Sequence, residues 1–416
     1  MEGKWILDLK ASFFKLDFFQ NCVLFAFDTV KGHRNECGRK RKKMGRICIY
    51  CETWASGGIE SFLYNMLSHM DISGLEIDIV ATCIKDSLFI EELKNKGIHF
   101  YELSGKKYAI LQNAKCFLRL ARLRSYDVVH INAFQALSLY FLHMARRMGV
   151  PVRIAHSHNT MLRKSKTYLI KIAIHNISKE MFSCDATDLW ACSSAAANFL
   201  FPKDYLKKDG FTLIPNGIDT NRFRFNADVR QKVRQRFDLE GKFVIGNVGR
   251  LCYQKNQNFL LDVLVAVLKY RPDSRLLLVG DGESKEQLKE RAIRLGISNA
   301  VIFCGAIRQV ERLYWAMDVF AFPSHFEGLG IVAIESQAAG LITVCSCGIP
   351  QEACVTPLFK RLPIKAGAGA WADMLLSSVG MQISRDDLSK EIKNAQYDIT
   401  DVSFLIKEQY TRKKMK

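Results

Sequence analysis

The feature that most constrains the fold of this chain is a repeated alternation of short apolar segments with longer amphipathic ones, which starts directly after Met44. Short apolar runs bounded by turn residues indicate strands, and longer runs with apolar residues every three to four positions indicate helices. We predict strands at 47–51, 77–83, 99–103, 127–132, 152–156, 189–192 and 212–215, then at 243–247, 275–279, 301–304, 319–322 and 342–345. Helices are predicted at 58–70, 109–123, 136–148, 167–182, 257–270, 284–295, 310–317 and 330–339.

Strands that alternate with helices form right-handed βαβ units and therefore parallel sheets. The alternation occurs in two series, and a chain of 416 residues is too long for one ordinary domain. We expect an N-terminal domain at 44–220, a polar linker at 221–241, a C-terminal domain at 242–395, and a helical tail at 396–416 that can pack back on the N-terminal domain. Ligands of such α/β, Rossmann-like, doubly wound domains bind beyond the carboxyl ends of the strands. Two of them facing each other would form a central ligand-binding cleft.

The first 43 residues carry no motif and end in five consecutive basic residues. They could be a basic arm that binds lipid or nucleic acid. We favour the other interpretation, that Met44 is the true start, because the regular pattern begins immediately after it. The apolar segment 12–28 is interrupted by charged and amide residues and does not resemble a signal peptide. The sequence contains no uncharged apolar run of about 18 residues, so we predict no membrane-spanning helix.

Charge and cysteine content narrow the partners and the compartment. Lysine plus arginine exceeds aspartate plus glutamate by 18, which favours polyanions, anionic lipid surfaces or phosphorylated ligands. The 13 cysteines are scattered and odd in number, as expected for free thiols in a reducing, cytoplasmic compartment. Cys48 and Cys51 form a CxxC motif, but a zinc site needs a second pair of ligands. Both cysteines also lie on the strand predicted at 47–51, where residues three apart point to opposite faces of the sheet. They could not bind one metal ion together, so we predict that both are structural.

The strongest chemical motif lies at 322–340, where a strand, a glycine-containing loop and a helix follow one another. The glycines after Glu327 allow a ligand to approach the backbone closely. The following helix offers unpaired N–H groups and a positive dipole end to a phosphate. Glu335 lies about one and a half turns into that helix, where its carboxylate could accept two ribose hydroxyls, as in dinucleotide sites.

This text, Glu-x7-Glu with Gly-Leu-Gly-Ile-Val-Ala-Ile-Glu at 328–335, resembles glycosyltransferase family 4, which comprises retaining enzymes of the two-domain GT-B fold. The resemblance covers nearly all of the chain from Met44 to about residue 380, and is closest to enzymes of capsular and exopolysaccharide assembly. It includes the motifs at 57–60, 214–219 and 279–283 and the combination of Gly249, Arg250 and Lys255. It implies a hexosyltransferase that moves a sugar from a UDP- or GDP-sugar to a glycan or lipid-linked acceptor.

The resemblance also implies roles for individual residues. Arg250 and Lys255 would grip the donor diphosphate, whose growing negative charge must be met by fixed positive groups. Glu335 would bind the ribose and Glu327 would face the donor sugar. The donor site would further contain Gly328, Leu329, Gly330, Ile331 and Val332, with Gly58 bringing the N-terminal backbone to the β-phosphate.

A histidine near the end of a strand is expected to complete the catalytic set. The resemblance assigns contact with the donor sugar to His158, with His156 as the alternative, and His130 is expected to be structural or on the acceptor side. The predicted catalytic residues are therefore Glu327, His158, Arg250 and Lys255. The sequence has no Asp-x-Asp motif, so we expect no metal and no other cofactor.

Basic helical surfaces suggest where an acceptor could be presented. Lys115, Arg119 and Arg122 are predicted on the side opposite Phe117, Leu118 and Leu120, and further basic residues follow at Arg163, Lys164, Lys166 and Lys171. These surfaces could dock on an anionic membrane, at the inner face of the plasma membrane, that carries a lipid-diphosphate acceptor. The alternative is a solvated basic face, and no nucleic-acid partner is expected.

Two other functions fit the same architecture. A sugar-nucleotide epimerase would use the same phosphate site without an acceptor. A non-catalytic partner subunit of a glycosyltransferase would need neither the phosphate site nor an acceptor. The presence of Glu327, Glu335, Arg250 and Lys255 disfavours the subunit. A nicotinamide dehydrogenase is disfavoured because no GxGxxG motif follows a strand.

Overall fold

The computed structural model describes residues 45–55, 57–85, 89–106, 109–162, 167–208, 210–378, 385 and 387–412. The predicted N-terminal extension and the basic residues Arg163, Lys164 and Lys166 lie outside the described residues.

The N-terminal domain is built on a seven-stranded parallel sheet of order β3-β2-β1-β4-β5-β6-β7. Its central strands are buried on both faces, which explains why their sequences are mostly apolar and do not alternate with polar residues. All six residues of β4 are buried, including His130 and Asn132. Strand order reverses between β1 and β4, the place where such sheets bind ligands. The strands are β1 Gly45–Trp54, β2 Leu75–Ile84, β3 His99–Glu102, β4 Val128–Ala133, β5 Val152–Ser157, β6 Asp188–Ala191 and β7 Thr212–Leu213.

The C-terminal domain repeats this design with a six-stranded parallel sheet of order β10-β9-β8-β11-β12-β13. Here the order reverses between β8 and β11, so a second ligand-binding edge is expected after these two strands. The strands are β8 Val244–Val248, β9 Arg275–Val279, β10 Val301–Gly305, β11 Val319–Phe322, β12 Ile342–Cys345 and β13 Phe359–Arg361. The predicted α/β class with two Rossmann-like domains is confirmed, and the short strand β13 was not predicted.

Helices cover both sheets. The first sheet is accompanied by α1 Gly58–His69, α2 Ile90–Asn95, α3 Ile110–Arg124, α4 Tyr140–Arg147, α5 Tyr168–Phe182, α6 Ser194–Leu200 and α7 Lys203–Lys208. The connection contains α8 Thr220–Phe223 and α9 Ala227–Arg236. The second sheet is accompanied by α10 Gln257–Leu268, α11 Lys285–Arg294, α12 Val310–Ala316, α13 Ile331–Ala338, α14 Gly367–Ser377 and α15 Ser389–Asn394, and the last helix is α16 Ile399–Thr411.

The segment predicted as a linker is folded onto the C-terminal domain. Arg230 and Arg234 of α9 reach Asp318 at 2.6 and 3.3 Å. Arg230 also donates to the carbonyls of Trp315 and Met317 at 2.6 and 2.8 Å. The polar composition of the segment therefore reflects a helix that is attached by guanidinium groups as well as by the partly buried side chains of Val229 and Val233.

The end of the chain returns to the N-terminal domain. Ile218 pairs with Asp398 beside Gly217, where a Cβ would lie 2.8 Å from the Cα of Ile399. Helix α16 then packs on α1, and the hydroxyl of Ser403 donates to the carbonyl of Met66 at 2.9 Å. The Asn-Gly-Ile-Asp motif at 216–219 thus serves this crossing, which requires a glycine because of the close approach.

Cys48 and Cys51 are buried free thiols. They belong to different apolar clusters, Cys48 on one face of the sheet and Cys51 on the other. The expectation that they are structural agrees with this placement.

Candidate active site

The loop after β11 is the centre of the candidate site. It carries Glu327 and ends at Gly330, whose φ of +86° starts α13 without a side-chain cap. A Cβ on Gly330 would lie 3.1 Å from the ring of Phe322. Glycine thus makes the left-handed turn possible, and the first N–H groups of α13 stay available to a ligand.

Glu327 of this loop forms an ion pair with Lys255, which lies in the loop between β8 and α10. Lys255 Nζ lies 2.8 Å from Oε1 of Glu327, and the side chains are only 16% and 7% exposed. Gln254 donates to Oε2 of the same carboxylate at 3.3 Å. The ammonium also lies 4.9 Å from the centroid of the Phe322 ring. Both predicted catalytic groups therefore occupy one small volume beside the α13 N-terminus.

Arg250 follows β8 and is held in a more open position. Its Nε lies 3.0 Å from Oε2 of Glu283, and the Arg250 side chain is 66% exposed. The glycine turn that carries Glu283 packs directly on this loop, because a Cβ on Gly280 would lie 2.2 Å from the carbonyl oxygen of Gly249. The motif at 279–283 accordingly shapes the backbone around Arg250.

Glu335 is placed one and a half turns into α13, where it accepts a hydrogen bond from the hydroxyl of Tyr314 at 2.9 Å. Burial raises the pKa of Glu335, and the bond from Tyr314 acts in the opposite direction. Tyr314 itself is fully buried. It orients the carboxylate and was not foreseen, because its position on α12 has no motif of its own.

The N-terminal domain contributes a glycine turn at the start of α1. A Cβ on Gly58 would meet nothing within 4 Å, so the backbone there is open. Glu60 folds back over Gly57, and its carboxylate is nearly buried. Burial raises the pKa of Glu60 to about 7, while backbone N–H groups and Arg250 oppose the rise. Arg250 of one domain thus faces the α1 N-terminus of the other.

Three contacts join the two domains beside Glu327. Thr160 Oγ1 donates to the Glu327 carbonyl at 2.9 Å, and Ser193 Oγ donates to the Gly328 carbonyl at 2.5 Å. A Cβ on Gly328 would lie 2.0 Å from the carbonyl oxygen of His158. The domains are therefore closed around the loop, and only glycine fits at this contact.

His158 lies just beyond the end of β5, at this contact. Its Nε2 is 2.9 Å from Oδ1 of Asn132, which makes Nε2 the protonated nitrogen. Burial lowers the pKa of His158 to about 3, so the ring is neutral. Its Nδ1 is buried and has no partner among the residues that the structure describes. His158 consequently presents an acceptor lone pair.

The structure brings most of the predicted site residues to one cleft. Glu327, Gly328, Leu329, Gly330, Ile331, Val332 and Glu335 form a continuous loop and helix start, with Lys255 attached and His158 in contact. Arg250 and Gly58 lie on the two facing edges. Sequence reasoning missed Gln254, Thr160, Ser193 and Tyr314, which are single polar residues without a motif.

Two family models match this chain, one in each domain. The model described as Glycosyltransferase Family 4 matches residues 56–222, and the model described as Glycosyl transferases group 1 matches residues 229–395. The chain belongs to glycosyltransferase family 4.

Relatives in sequence agree with this family, and a solved structure shares the fold. The Bacillus subtilis protein named as glycosyltransferase EpsF is 28% identical over 342 residues, covering 80% of this chain and 88% of the relative. An Escherichia coli UDP-Gal:alpha-D-GlcNAc-diphosphoundecaprenol alpha-1,3-galactosyltransferase is 25% identical over 252 residues, covering 58% of this chain and 64% of the relative. The structure of Anabaena Alr3699/HepE in complex with UDP-glucose has a TM-score of 0.72 at 20% identity, covering 88% of this chain and 99% of that chain.

The family 4 assignment confirms the predicted GT-B fold and identifies the protein as an enzyme, a hexosyltransferase. None of the relatives named above is an epimerase or a non-catalytic subunit. Within the described ranges, no helix is both long enough and apolar enough to cross a bilayer.

Proposed function

We propose that this glycosyltransferase transfers a hexose from a nucleoside diphosphate sugar, a UDP- or GDP-sugar, to a lipid-linked glycan in polysaccharide assembly. We further propose that transfer retains the anomeric configuration and needs no metal ion. The names of the relatives support the substrate classes: the E. coli enzyme uses UDP-Gal and a diphosphoundecaprenol acceptor, and HepE was solved with UDP-glucose.

The observation that carries the proposal is the Lys255–Glu327 pair beside the open N-terminus of α13. The leaving nucleoside diphosphate gains negative charge as the bond between the anomeric carbon and the phosphate oxygen breaks. Lys255, Arg250 and the helix N-terminus supply fixed positive potential for that charge. When the diphosphate binds, Lys255 contacts both it and Glu327. Glu327 then faces the donor sugar, whose ring becomes cationic in the transition state.

The nucleoside would be held deeper along α13. Glu335, oriented by Tyr314, offers carboxylate oxygens to the two ribose hydroxyls. A ligand without these hydroxyls would leave the partly buried carboxylate without hydrogen-bond donors, which is costly. The site therefore favours ligands that carry a ribose.

The neutral His158 cannot donate a proton from Nδ1, so its lone pair suits a hydroxyl of the donor sugar. In the proposed retaining step, the acceptor oxygen forms its bond to the anomeric carbon on the face from which the diphosphate departs. The acceptor hydroxyl proton passes to the departing phosphate oxygen. No protein group has to form a covalent intermediate.

The acceptor is proposed to reach the cleft from an anionic membrane at the inner face of the plasma membrane. Lys115 and Arg119 lie on the exposed side of α3, opposite buried Phe117 and Leu118, whereas Leu120 and Arg122 are both half-buried. Helix α5 adds an exposed apolar surface, which consists of Leu169 at 78%, Ile170 at 63% and Ile174 at 38% exposure. Such a combination of apolar and cationic surface binds anionic bilayers.

The catalytic part of the proposal is tested by a transfer assay. Nucleotide sugars are first screened by thermal shift, since a ligand of the native state raises the melting temperature. Transfer to a diphosphoundecaprenol-linked sugar is then measured with and without EDTA, for the wild type, Arg250→Ala, Lys255→Ala and Lys289→Ala. Lys289 pairs with exposed Glu286 on α11, far in sequence from the donor motifs, and serves as the control.

We expect EDTA and Lys289→Ala to leave the rate unchanged, and each site variant to lower it about 100-fold or more. The anomeric configuration of the product is determined by NMR. Loss of transfer in EDTA, an inverted product, or full activity of both site variants would contradict the proposal.

The membrane part is tested separately by vesicle sedimentation. Ile170→Asp is compared with Ile293→Asp, because Ile293 on α11 of the other domain is similarly exposed at 67%. We expect the wild type and Ile293→Asp to bind anionic vesicles and Ile170→Asp to bind them weakly. Equal binding of all three, or equal binding to neutral vesicles, would exclude this surface.

A further inference from the structure

Three histidines form a continuous buried group beneath the cleft, and their arrangement extends beyond the site already described. His130 is the third residue of the fully buried strand β4, His156 lies near the end of β5, and His158 follows directly after β5. His130 Nε2 is 3.2 Å from Nδ1 of His156. The rings of His156 and His158 pack with centroids 4.0 Å apart. His130 and His156 are fully buried.

The far end of this group is attached to the last helix of the chain. The hydroxyl of Tyr410, on α16, lies 2.7 Å from Nδ1 of His130. Trp190 packs parallel to the Tyr410 ring, with centroids 6.2 Å apart and an angle of 19° between the planes. Trp190 also makes edge contacts with the rings of His130 and His156. The ring of Tyr410 is therefore held in place by packing, independently of its hydroxyl.

The hydrogen bonds of this group can be assigned a direction from the protonation of its rings. Burial lowers the pKa values of His130 and His156 well below their ordinary value, so each ring is neutral and carries a single N–H. The Tyr410 hydroxyl has one partner in the described chain, His130 Nδ1, and we assign the hydroxyl as the donor to it. His130 then carries its proton on Nε2 and donates to His156 Nδ1, because the bond made by one ring nitrogen sets the state of the other. The N–H of His156 then lies on Nε2, which is buried and has no partner among the described residues.

We propose that Tyr410 is a positioning residue for the transfer reaction. Its hydroxyl fixes the tautomer and orientation of His130, His130 fixes His156, and His156 supports the ring of His158, so that the unpartnered Nδ1 of His158 keeps its orientation. This inference rests on the proposed role of His158 in holding the donor sugar. It makes the C-terminal helix a part of the catalytic apparatus, although the helix does not touch the substrate.

The competing explanation is that Tyr410 only anchors α16. The helix has other anchors of that kind, including Ile399, Val402 and Ile406 in the apolar cluster it shares with α1. Ser403 provides a matched control, because its hydroxyl is also buried and donates across the same helix pair, to the carbonyl of Met66 at 2.9 Å. Ser403→Ala removes one buried hydrogen bond from α16 without touching a histidine.

The experiment compares Tyr410→Phe with Ser403→Ala in the full chain. The phenylalanine keeps the ring and its packing on Trp190 and removes only the hydroxyl. Histidine tautomers are measured by long-range ¹H–¹⁵N spectra of protein labelled at its nine histidines. Donor kcat/KM and melting temperature are measured on the same samples, and His130→Gln serves as a second variant in case Tyr410→Phe does not fold.

We expect Tyr410→Phe to change the tautomer signals of His130 and His156 and to lower kcat/KM about tenfold, since small displacements of a positioning group are costly. Ser403→Ala is expected to lower the melting temperature by a similar amount and to leave the tautomers and kcat/KM unchanged. Unchanged tautomers or unchanged kcat/KM in Tyr410→Phe would overturn the proposal, as would an equal loss of kcat/KM in Ser403→Ala.

The variant His158→Ala tests the proposed role of His158 separately from that of Tyr410. If His158→Ala keeps full activity, the proposed role of His158 fails, and this inference fails with it. If His158→Ala is inactive while Tyr410→Phe is fully active, only the inference about Tyr410 fails.

Discussion

The ammonium nitrogen of Lys255 lies 2.8 Å from Oε1 of Glu327, and the two side chains are almost entirely shielded from solvent. Each charge compensates the other, which allows both to be buried. The pair therefore keeps a cation and a carboxylate ready at the donor site. A diphosphate that enters can take Lys255 as a partner, and the sugar can take Glu327, without new charges having to be desolvated.

Separating this pair is expected to affect stability and activity in different ways. Lys255→Met leaves Glu327 buried and unpaired, which should lower the free energy of unfolding by about 3 kcal/mol. The double variant Lys255→Met/Glu327→Gln should recover most of that loss and still transfer no sugar at a measurable rate. Urea unfolding and initial rates check both statements. A double variant as unstable as the single one would contradict the buried-pair argument.

Tyr314→Phe is expected to weaken donor binding with little effect on the chemical step. The substitution removes the hydrogen bond to Glu335, and a bond to a charged group contributes roughly 1.5–3 kcal/mol. The KM for the donor should accordingly rise about tenfold or more, with kcat nearly unchanged. Tyr397→Phe is the control, because it removes an equally buried hydroxyl that donates to the Glu352 carbonyl at 2.9 Å. A similar rise in KM for both variants would point to a general loss of structure.

Glu60 should make stability depend on pH. Burial raises its pKa from 4.5 to about 7, so the folded chain favours the protonated carboxyl. This contribution is fully present below the unfolded pKa and is lost as pH rises from about 4.5 to about 7. Glu60→Gln has no charge to bury, and should be more stable than the wild type by on the order of 3 kcal/mol at pH 8 and within about 1 kcal/mol at pH 5. Urea unfolding at both pH values measures the difference, and a constant difference would refute it.

Gly328→Ala is expected to prevent closure of the cleft. The added methyl would lie 2.0 Å from the His158 carbonyl oxygen, so the Thr160 and Ser193 contacts could not form. We expect kcat/KM to fall about 100-fold, because misplaced groups lose their catalytic effect steeply, and small-angle scattering to give a larger radius of gyration. Gly369→Ala on α14 is the control, since a Cβ there meets nothing within 4 Å. An unchanged scattering profile with full activity would refute the prediction.

The sequence predicted the fold well because its regular parts are marked locally. Short apolar runs such as β11 and β12 are recognisable without tertiary information, and every strand that was predicted is present. The strand β13 was missed because it has three residues, with Lys360 exposed. Its pairing with β12 is decided by the neighbouring strand rather than by its own composition.

The candidate site was predictable where a ligand constrains several consecutive residues, as at 327–335. It was not predictable where one polar side chain acts across a long separation. Tyr314 orients Glu335 from another helix, and Thr160 reaches the Glu327 loop from the other domain. The link between Tyr410 and His130 spans 280 positions of sequence, so only the folded chain brings the two together.

The return of α16 to α1 has a consequence for the order in which the protein matures. Both sheets leave the ribosome before Ile399–Thr411 does, so the apolar side of α1 remains uncovered until that segment has been made. The N-terminal domain, although it is synthesised first, is therefore completed only after the C-terminal sheet has been made. If the chain were cleaved between the two sheets, the N-terminal fragment would lack α16. The C-terminal fragment would carry α16 with its apolar face exposed to solvent.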